Sequence, residues 1–287
     1  MSEQWQDEPT ALILVDFSAI AYACWYSAVK AQETAASALD EHVRACPNCA
    51  QSHACTNIPV QYDVHAVLRD NLLLKLDTIV ADTPANSVND LVLVLDSHPG
   101  WKYDLYPAYK GKRVRDVDPR QEAEAFLRRE CSNIRWVQAP GQEADDAIAT
   151  LVAANKSQRH VVIVSGDKDL WQLFDPPTVR IYAPTTKRWL DADKIAQDFY
   201  GLAPQHIRVA KAIWGDTSDN LPNCAPRAQK QLVPLITSCD GALLDVIKKA
   251  KEQVNQTCMA HLSKNIDQII KNYTLVGLRM DAALNWT

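Results

Sequence analysis

Three short apolar runs in this chain lead straight into acidic residues. Ala11–Val15 is followed by Asp16, Leu91–Leu95 by Asp96, and Val161–Val164 by Ser165-Gly166-Asp167-Lys168-Asp169. Runs of this length and apolarity read as strands buried on both faces, the mark of a parallel sheet covered by helices. The carboxyl ends of such strands open on the crevice where ligands bind. Nine acids sit in short motifs along the chain: Asp16, Asp96, Glu143, Asp145, Asp146, Asp167, Asp169, Asp216 and Asp219. Like charges gathered in one crevice repel one another and resist ionising together. A divalent cation offsets that repulsion, and carboxylates without matching His or Cys select hard ions such as Mg²⁺ or Mn²⁺.

Each motif also has an ordinary structural explanation. Asp16 and Asp96 cap the segment that follows a strand or begin a turn. Glu143, Asp145 and Asp146 suit the positive end of a helix. Yet three acids in four positions exceed what a cap requires, and Glu143 and Asp146 oppose each other at i,i+3. Asp167 and Asp169 alternate in a tight turn, and Asp216 and Asp219 repeat the i,i+3 spacing. Singly these motifs are ambiguous; together, at successive strand ends, they point to one metal-dependent site.

Strand runs alternate with helical patterns over the first two thirds of the chain. Helices are expected around Ser18–Lys30, Val64–Ala81, Pro119–Glu130 and Gln142–Ala154, and a further strand over Val179–Tyr182. This order implies a mostly parallel, doubly wound sheet. After Trp189 strand signals stop, and helices are expected over Asp191–Gly201, His206–Trp214, Arg227–Ile236, Ala242–Glu252 and Ser263–Tyr273. Residues 32–59 fit neither pattern and read as an insertion.

The 287 residues carry a net charge of −5, so any nucleic-acid contact must be local. One segment reverses the sign. Trp101–Arg120 holds Lys102, Lys110, Lys112, Arg113, Arg115 and Arg120, interleaved with Trp101, Tyr103, Tyr106 and Tyr109. Basic groups hold phosphates and aromatic faces stack unpaired bases, although a solvated loop explains the composition equally well. Cys46, Cys49, His53 and Cys55 lie within ten residues, with His42 nearby as a substitute ligand. A small structural zinc site and a loop of reduced thiols fit this segment equally. Met1–Pro9 is acidic and lacks an apolar core, and no stretch approaches the ~20 apolar residues of a membrane helix. The expected setting is the cytoplasm.

The motifs resemble those of the 5′-nuclease family: phage 5′→3′ exonucleases, flap endonucleases and the 5′-nuclease domain of bacterial DNA polymerases. The matching segments are Leu12–Ser18, Val92–Asp96, Tyr106–Arg113, Gly141–Thr150, Val162–Leu173 and Gly215–Pro222. The Glu-Ala-Asp-Asp, Gly-Asp-Lys-Asp-Leu and Gly-Asp-x-Ser-Asp-Asn strings are the most specific together. The resemblance implies an α/β fold: a PIN-like, mostly parallel sheet flanked by helices, followed by a smaller helical domain with a helix–three-turn–helix motif. The expected boundaries are 1–190, with the Cys-rich insertion, and 191–287. It implies that all nine acids hold two Mg²⁺ or Mn²⁺ ions or support those that do. Lys110 and Arg113 match the family's Tyr-Lys-x-x-Arg string and are the expected catalytic contacts on the scissile phosphate. Lys102, Tyr109, Lys112 and Lys230 are the expected nucleic-acid contacts, with Tyr109 stacking on the terminal base.

The implied activity is structure-dependent 5′→3′ exonuclease and flap endonuclease cleavage of DNA during replication, on 5′ flaps, duplex 5′ ends or RNA–DNA hybrids. A monomeric, free-standing enzyme of a bacterial or phage-infected cell is expected. Two departures stand out. Phe17 replaces the glycine usual after the first aspartate. The stretch Asn223-Cys224-Ala225-Pro226-Arg227-Ala228-Gln229-Lys230 lacks the glycines of the duplex-binding turn, which puts that contact and its K⁺ in question. Two other readings remain: a non-catalytic DNA-junction binder and a PIN-type ribonuclease.

Overall fold

The computed structural model describes residues 11–45, 63–113, 117–226, 228–253 and 257–287. In chain order the elements are β1 (Leu12–Asp16), α1 (Phe17–Ala45), α2 (Val64–Asp82), β2 (Leu91–Leu95), α3 (Gly100–Leu105), α4 (Arg120–Glu130), β3 (Arg135–Gln138), α5 (Ala144–Asn155), β4 (Val161–Val164), β5 (Val179–Ala183) and β6 (Arg188–Trp189). They continue with α6 (Ala192–Asp198), α7 (Ile207–Trp214), α8 (Gln229–Ser238), α9 (Leu243–Glu252), α10 (Thr257–Lys264), α11 (Ile266–Val276) and β7 (Asn285–Trp286).

The sheet has seven strands in the order β6-β5-β4-β1-β2-β3-β7. The five inner strands are parallel, and the two-residue edge strands β6 and β7 are antiparallel. The chain lays down β1, β2 and β3 in one direction and then crosses to the other side of β1 for β4 and β5. The switch point therefore lies between β1 and β4, where Asp16 ends one strand and Ser165–Asp169 follows the other.

Alternate residues of each inner strand serve two cores, as the period of two demands. Ile13, Val15, Leu91, Leu93, Val162 and Val164 pack with Phe17, Leu68, Leu72, Leu76 and Leu127 of α1, α2 and α4. Leu12, Leu14, Val92, Val94, Val161 and Ile163 pack on α5. That second core continues through Ile207, Ile213, Leu232, Ile236, Val246 and Ile269, so the helical region shares its apolar interior with one face of the sheet.

Two expectations are corrected. Helix α1 runs on to Ala45, so residues 32–45 are helix and not insertion. Their Ala, Glu and Gln content favours helix, although none of residues 32–42 is buried. Strand signals do not stop at Trp189, because β7 returns to pair with β3. Strand β3 itself, Arg-Trp-Val-Gln, is too short and too polar at its ends to announce itself. Cys46, Cys49, His53 and Cys55 lie outside the described residues. No helix among the described residues is long and apolar enough to cross a membrane.

Candidate active site

The strand ends place the first acids. Asp16 is buried; its Oδ2 accepts from the Ser165 hydroxyl at 2.9 Å and its Oδ1 from the Ala19 N–H at 3.1 Å. Burial, with the charge of Asp96 added, pushes its carboxyl up to about 7. Asp96 accepts from the Ser18 hydroxyl at 2.5 Å and from the Ala144 N–H at 2.9 Å. The second contact satisfies an orphan amide at the start of α5 and fixes that helix beside β2. The first turn of α5 then presents Asp145 to the turn after β4. One carboxylate oxygen each from Asp145, Asp167 and Asp169 lie within 4.8 Å of one another. Burial and the neighbouring acids Asp167 and Asp16 hold the Asp145 carboxyl well above the ordinary range. Burial also takes Asp169 up to about 7, opposed by Lys211 and reinforced by Asp167.

The remaining acids are met by the protein's own cations. Lys102 Nζ lies 2.6 Å from Glu143 Oε2 and 3.9 Å from Asp146 Oδ2. Lys110 pairs with Glu143 at the other oxygen. Burial would raise the Glu143 carboxyl, but these two lysines hold it down to about 2. Arg113 Nη2 lies 2.8 Å from Asp219 Oδ1. Lys211, in α7, bridges Asp169 to Asp216, 2.7 Å from the latter. It outweighs burial at Asp216 and brings that carboxyl down to about 2.

The crevice is thus divided. Glu143, Asp216 and Asp219 are neutralised internally, while among the described residues no basic side chain forms an ion pair with Asp16, Asp145 or Asp167. An all-oxygen donor set, crowded, only partly open to solvent and short of counter-charge, fits a hard divalent cation. That fit falls on Asp145, Asp167 and Asp169.

The loop carrying Lys110 and Arg113 is docked firmly. Tyr109, Leu221, Leu275 and Val276 form a small buried cluster. The Lys110 N–H donates to the Asp219 carbonyl at 3.0 Å, and the Asn220 side chain donates to the Ala108 carbonyl at 2.8 Å. Opposite it, Gly215 has φ +74°, and a Cβ there would meet the Leu221 carbonyl oxygen at 2.6 Å. Only glycine lets the chain enter the Asp216 turn this tightly.

A cleft of about 380 Å³ holds Asp16, Asp145 and Asp167, with Tyr22, Tyr26 and Arg113 on its walls. A second, of about 930 Å³, extends over Arg120, Arg128, His98 and Tyr103. Ser18, Asp96, Lys110, Arg113 and Glu143 line both.

Several expected roles change. Tyr109 is 1% exposed and its hydroxyl lies 3.0 and 3.1 Å from the Glu143 and Asp219 carboxylates, able to donate to either, so its ring is not open to a base. Lys102 is 3% exposed and committed to carboxylates, so it does not face nucleic acid. Asp146 is fully buried and does not line the cleft that Asp145 lines. Lys112 and Lys230 are exposed; the Lys230 ammonium lies 5.7 Å from the Tyr200 ring centre.

Other residues went unrecognised. Lys211 reads as an ordinary amphipathic-helix lysine, although its flanks Ala210 and Ala212 mark a buried face. Tyr22 and Tyr26 stack at i,i+4 on α1, with ring centres 6.3 Å apart. Their spacing after Asp16 was the available signal.

The geometry agrees with what the chain is similar to. The family described as "5'-3' exonuclease, N-terminal resolvase-like domain" matches residues 11–200. A flap endonuclease Xni of Serratia proteamaculans is 32% identical over 192 residues, 66% of this chain and 75% of that protein. A 5'-3' exonuclease of Mycoplasmopsis pulmonis is 30% identical over 199 residues, 68% of this chain and 66% of that protein. The thermostable DNA polymerase I of Thermus aquaticus is 28% identical over 200 residues, but these span 23% of the polymerase. In structure, the chain resembles the bacteriophage T5 5'-exonuclease, solved with divalent zinc ions, with a TM-score of 0.63 and 17% identity, over 93% of this chain and 89% of that one. The T5 likeness concerns the fold; the sequence match over most of the sheet and the convergence of acids at its switch point concern descent. The chain belongs to the 5′-3′ exonuclease family.

Proposed function

We propose that this protein is a divalent-metal-dependent 5′→3′ exonuclease and flap endonuclease that hydrolyses DNA phosphodiesters. The observation that carries the reading is the group Asp145, Asp167 and Asp169, converging without enough counter-charge at the switch point of a parallel sheet. These three would hold a Mg²⁺ or Mn²⁺ ion. Asp16 and Asp96, on the neighbouring strand ends, are the proposed supports of a second. A bound divalent cation there supplies polarisation of the scissile phosphodiester and a water acidic enough to attack near neutral pH.

The chain's own groups do the rest. Lys110 and Arg113 stand where the two clefts meet, so each can exchange a carboxylate partner for the scissile phosphate. Tyr22 and Tyr26 offer aromatic faces to unpaired bases beside the acids. Lys112 and Lys230, both exposed, hold backbone phosphates farther along the strand. Ser18 and Ser165 fix Asp96 and Asp16 in place by hydrogen bonds from their hydroxyls. The relative from Serratia bears the name flap endonuclease, which supports a branched DNA substrate.

The test is cleavage with Mg²⁺ of 5′-labelled flap, blunt duplex and single-stranded RNA. Metal-dependent release of 5′-phosphate products from the DNA substrates, lost in Asp167→Ala, is expected. Cleavage of RNA alone, or tight DNA binding without cleavage, would replace this reading with a ribonuclease or a junction binder.

A further inference from the structure

The last eleven residues run back across the molecule from the end of α11 to the sheet edge. They lie outside residues 11–200 matched by the family. At the start of this strap, the Gln172 side chain donates to the Val276 carbonyl at 3.1 Å. Gly277 passes so close to Arg208 that a Cβ would meet its guanidinium at 2.1 Å. Leu278, Ala282 and Leu284 pack against the core beneath α5. Asn285 and Trp286 pair with β3, and the Thr287 N–H donates to the Trp136 carbonyl at 3.0 Å.

Midway, the strap grips the acidic helix. The Arg279 N–H donates to Asp146 Oδ1 at 2.8 Å. The Ala282 N–H donates to the Thr150 hydroxyl at 3.1 Å, and that hydroxyl lies 3.3 Å from the Arg279 carbonyl oxygen. The Arg279 guanidinium covers the Trp101 ring at 4.6 Å, and Trp101 Nε1 donates to Gln142, the residue before Glu143, at 2.9 Å. Asp146 has no exposed surface. The Arg279 amide is the close donor to its carboxylate, with the Glu143 N–H a weaker one, while Oδ2 has no hydrogen-bond partner and Lys102 stands off at 3.9 Å. A buried carboxylate left without that donor is costly and turns to find another. Asp145 is the adjacent residue, in the same helical turn.

We propose that the Arg279 backbone amide is a positioning group for the metal centre: by fixing Asp146 it sets the rotation of the first turn of α5, and so the direction in which Asp145 presents its carboxylate. The strap acts through Asp146 and touches neither substrate nor ion. This rests on the cation reading given above.

Proline at 279 deletes the amide, and Asp281→Pro stiffens the strap while leaving that amide in place. Calorimetric titration of Mn²⁺ into the whole protein without DNA reads the effect directly. Arg279→Pro is expected to weaken Mn²⁺ binding about tenfold, a loss on the scale of one hydrogen bond to a charged group. The Mg²⁺ midpoint for cleavage should rise by a similar factor, with kcat at saturating Mg²⁺ changed far less. Asp281→Pro is expected to bind Mn²⁺ as the parent does. Equal weakening by both prolines, or none by Arg279→Pro, overturns the proposal. If Arg279→Pro does not fold, Thr150→Val loosens the same clamp and should weaken Mn²⁺ binding about threefold; unchanged affinity there overturns it as well. A parent protein that takes up no Mn²⁺ would instead sink the cation reading itself.

Discussion

Asp145 and Asp146 are neighbours in sequence with opposite surroundings. Asp145 faces Asp167 and Asp169 across an acidic cleft, while Asp146 is fully buried against Lys102 and the Arg279 amide. Asp145→Asn is expected to cut flap cleavage by at least ~10²–10³-fold, the scale of losing one charge-stabilising group. Its melting temperature should hold or rise, because a carboxylate crowded by Asp167 and Asp16 is removed. Lys102→Met should do the reverse. It strips Glu143 of one of two lysines and Asp146 of its nearest cation, at a cost of about 3 kcal/mol on urea denaturation. A Lys102 that held DNA would show normal stability and weakened binding instead. The sequence made the acids legible because each motif is short and self-contained. It did not reveal which acids already have partners, since a lysine's charge can be read from sequence but its direction cannot. Hence Lys102 and Tyr109 looked like nucleic-acid contacts, and Lys211 looked like nothing in particular.

At the level of elements, the strands that carry the site were the readable ones. β1, β2 and β4 are buried along almost their whole length, so composition alone marks them. β3, β6 and β7 depend on a neighbour for their hydrogen bonds, and two of them are two residues long. The docking of the Tyr106–Arg113 loop on the Asp216 turn was equally silent, because it rests on contacts between segments over a hundred residues apart, such as Lys110 N–H to the Asp219 carbonyl. Leu221 is the buried aliphatic at the centre of that docking, 4% exposed beside Tyr109. Leu221→Ala is expected to lower stability by about 2–3 kcal/mol through the cavity it leaves. It should also raise the DNA concentration needed for half-maximal cleavage, as the loop bearing Lys110 and Arg113 loosens. Unchanged cleavage with lowered stability would mean that the loop does not depend on this docking.

Across the whole molecule, the fold gathers more carboxylates than its own cations neutralise. Asp16 and Asp169 both have carboxyls lifted to about 7, chiefly by burial. The metal-free chain therefore binds more protons folded than unfolded between the ordinary carboxyl range and about pH 7, and its stability falls as pH rises across that window. A divalent cation takes the ionised form, so the gain in melting temperature on adding Mg²⁺ is expected to be larger near pH 8 than near pH 5.5. The overall α/β architecture followed from strand runs alternating with helical patterns. The sharing of one core between sheet and helices did not, because it is a property of long-range packing. The most direct test of the cation-filled acidic crevice is calorimetric titration of Mn²⁺ near pH 7 in two buffers of different ionisation heat. Binding with net proton release in the parent, abolished in Asp145→Asn, is predicted. Binding without proton release, or undiminished in Asp145→Asn, would contradict it.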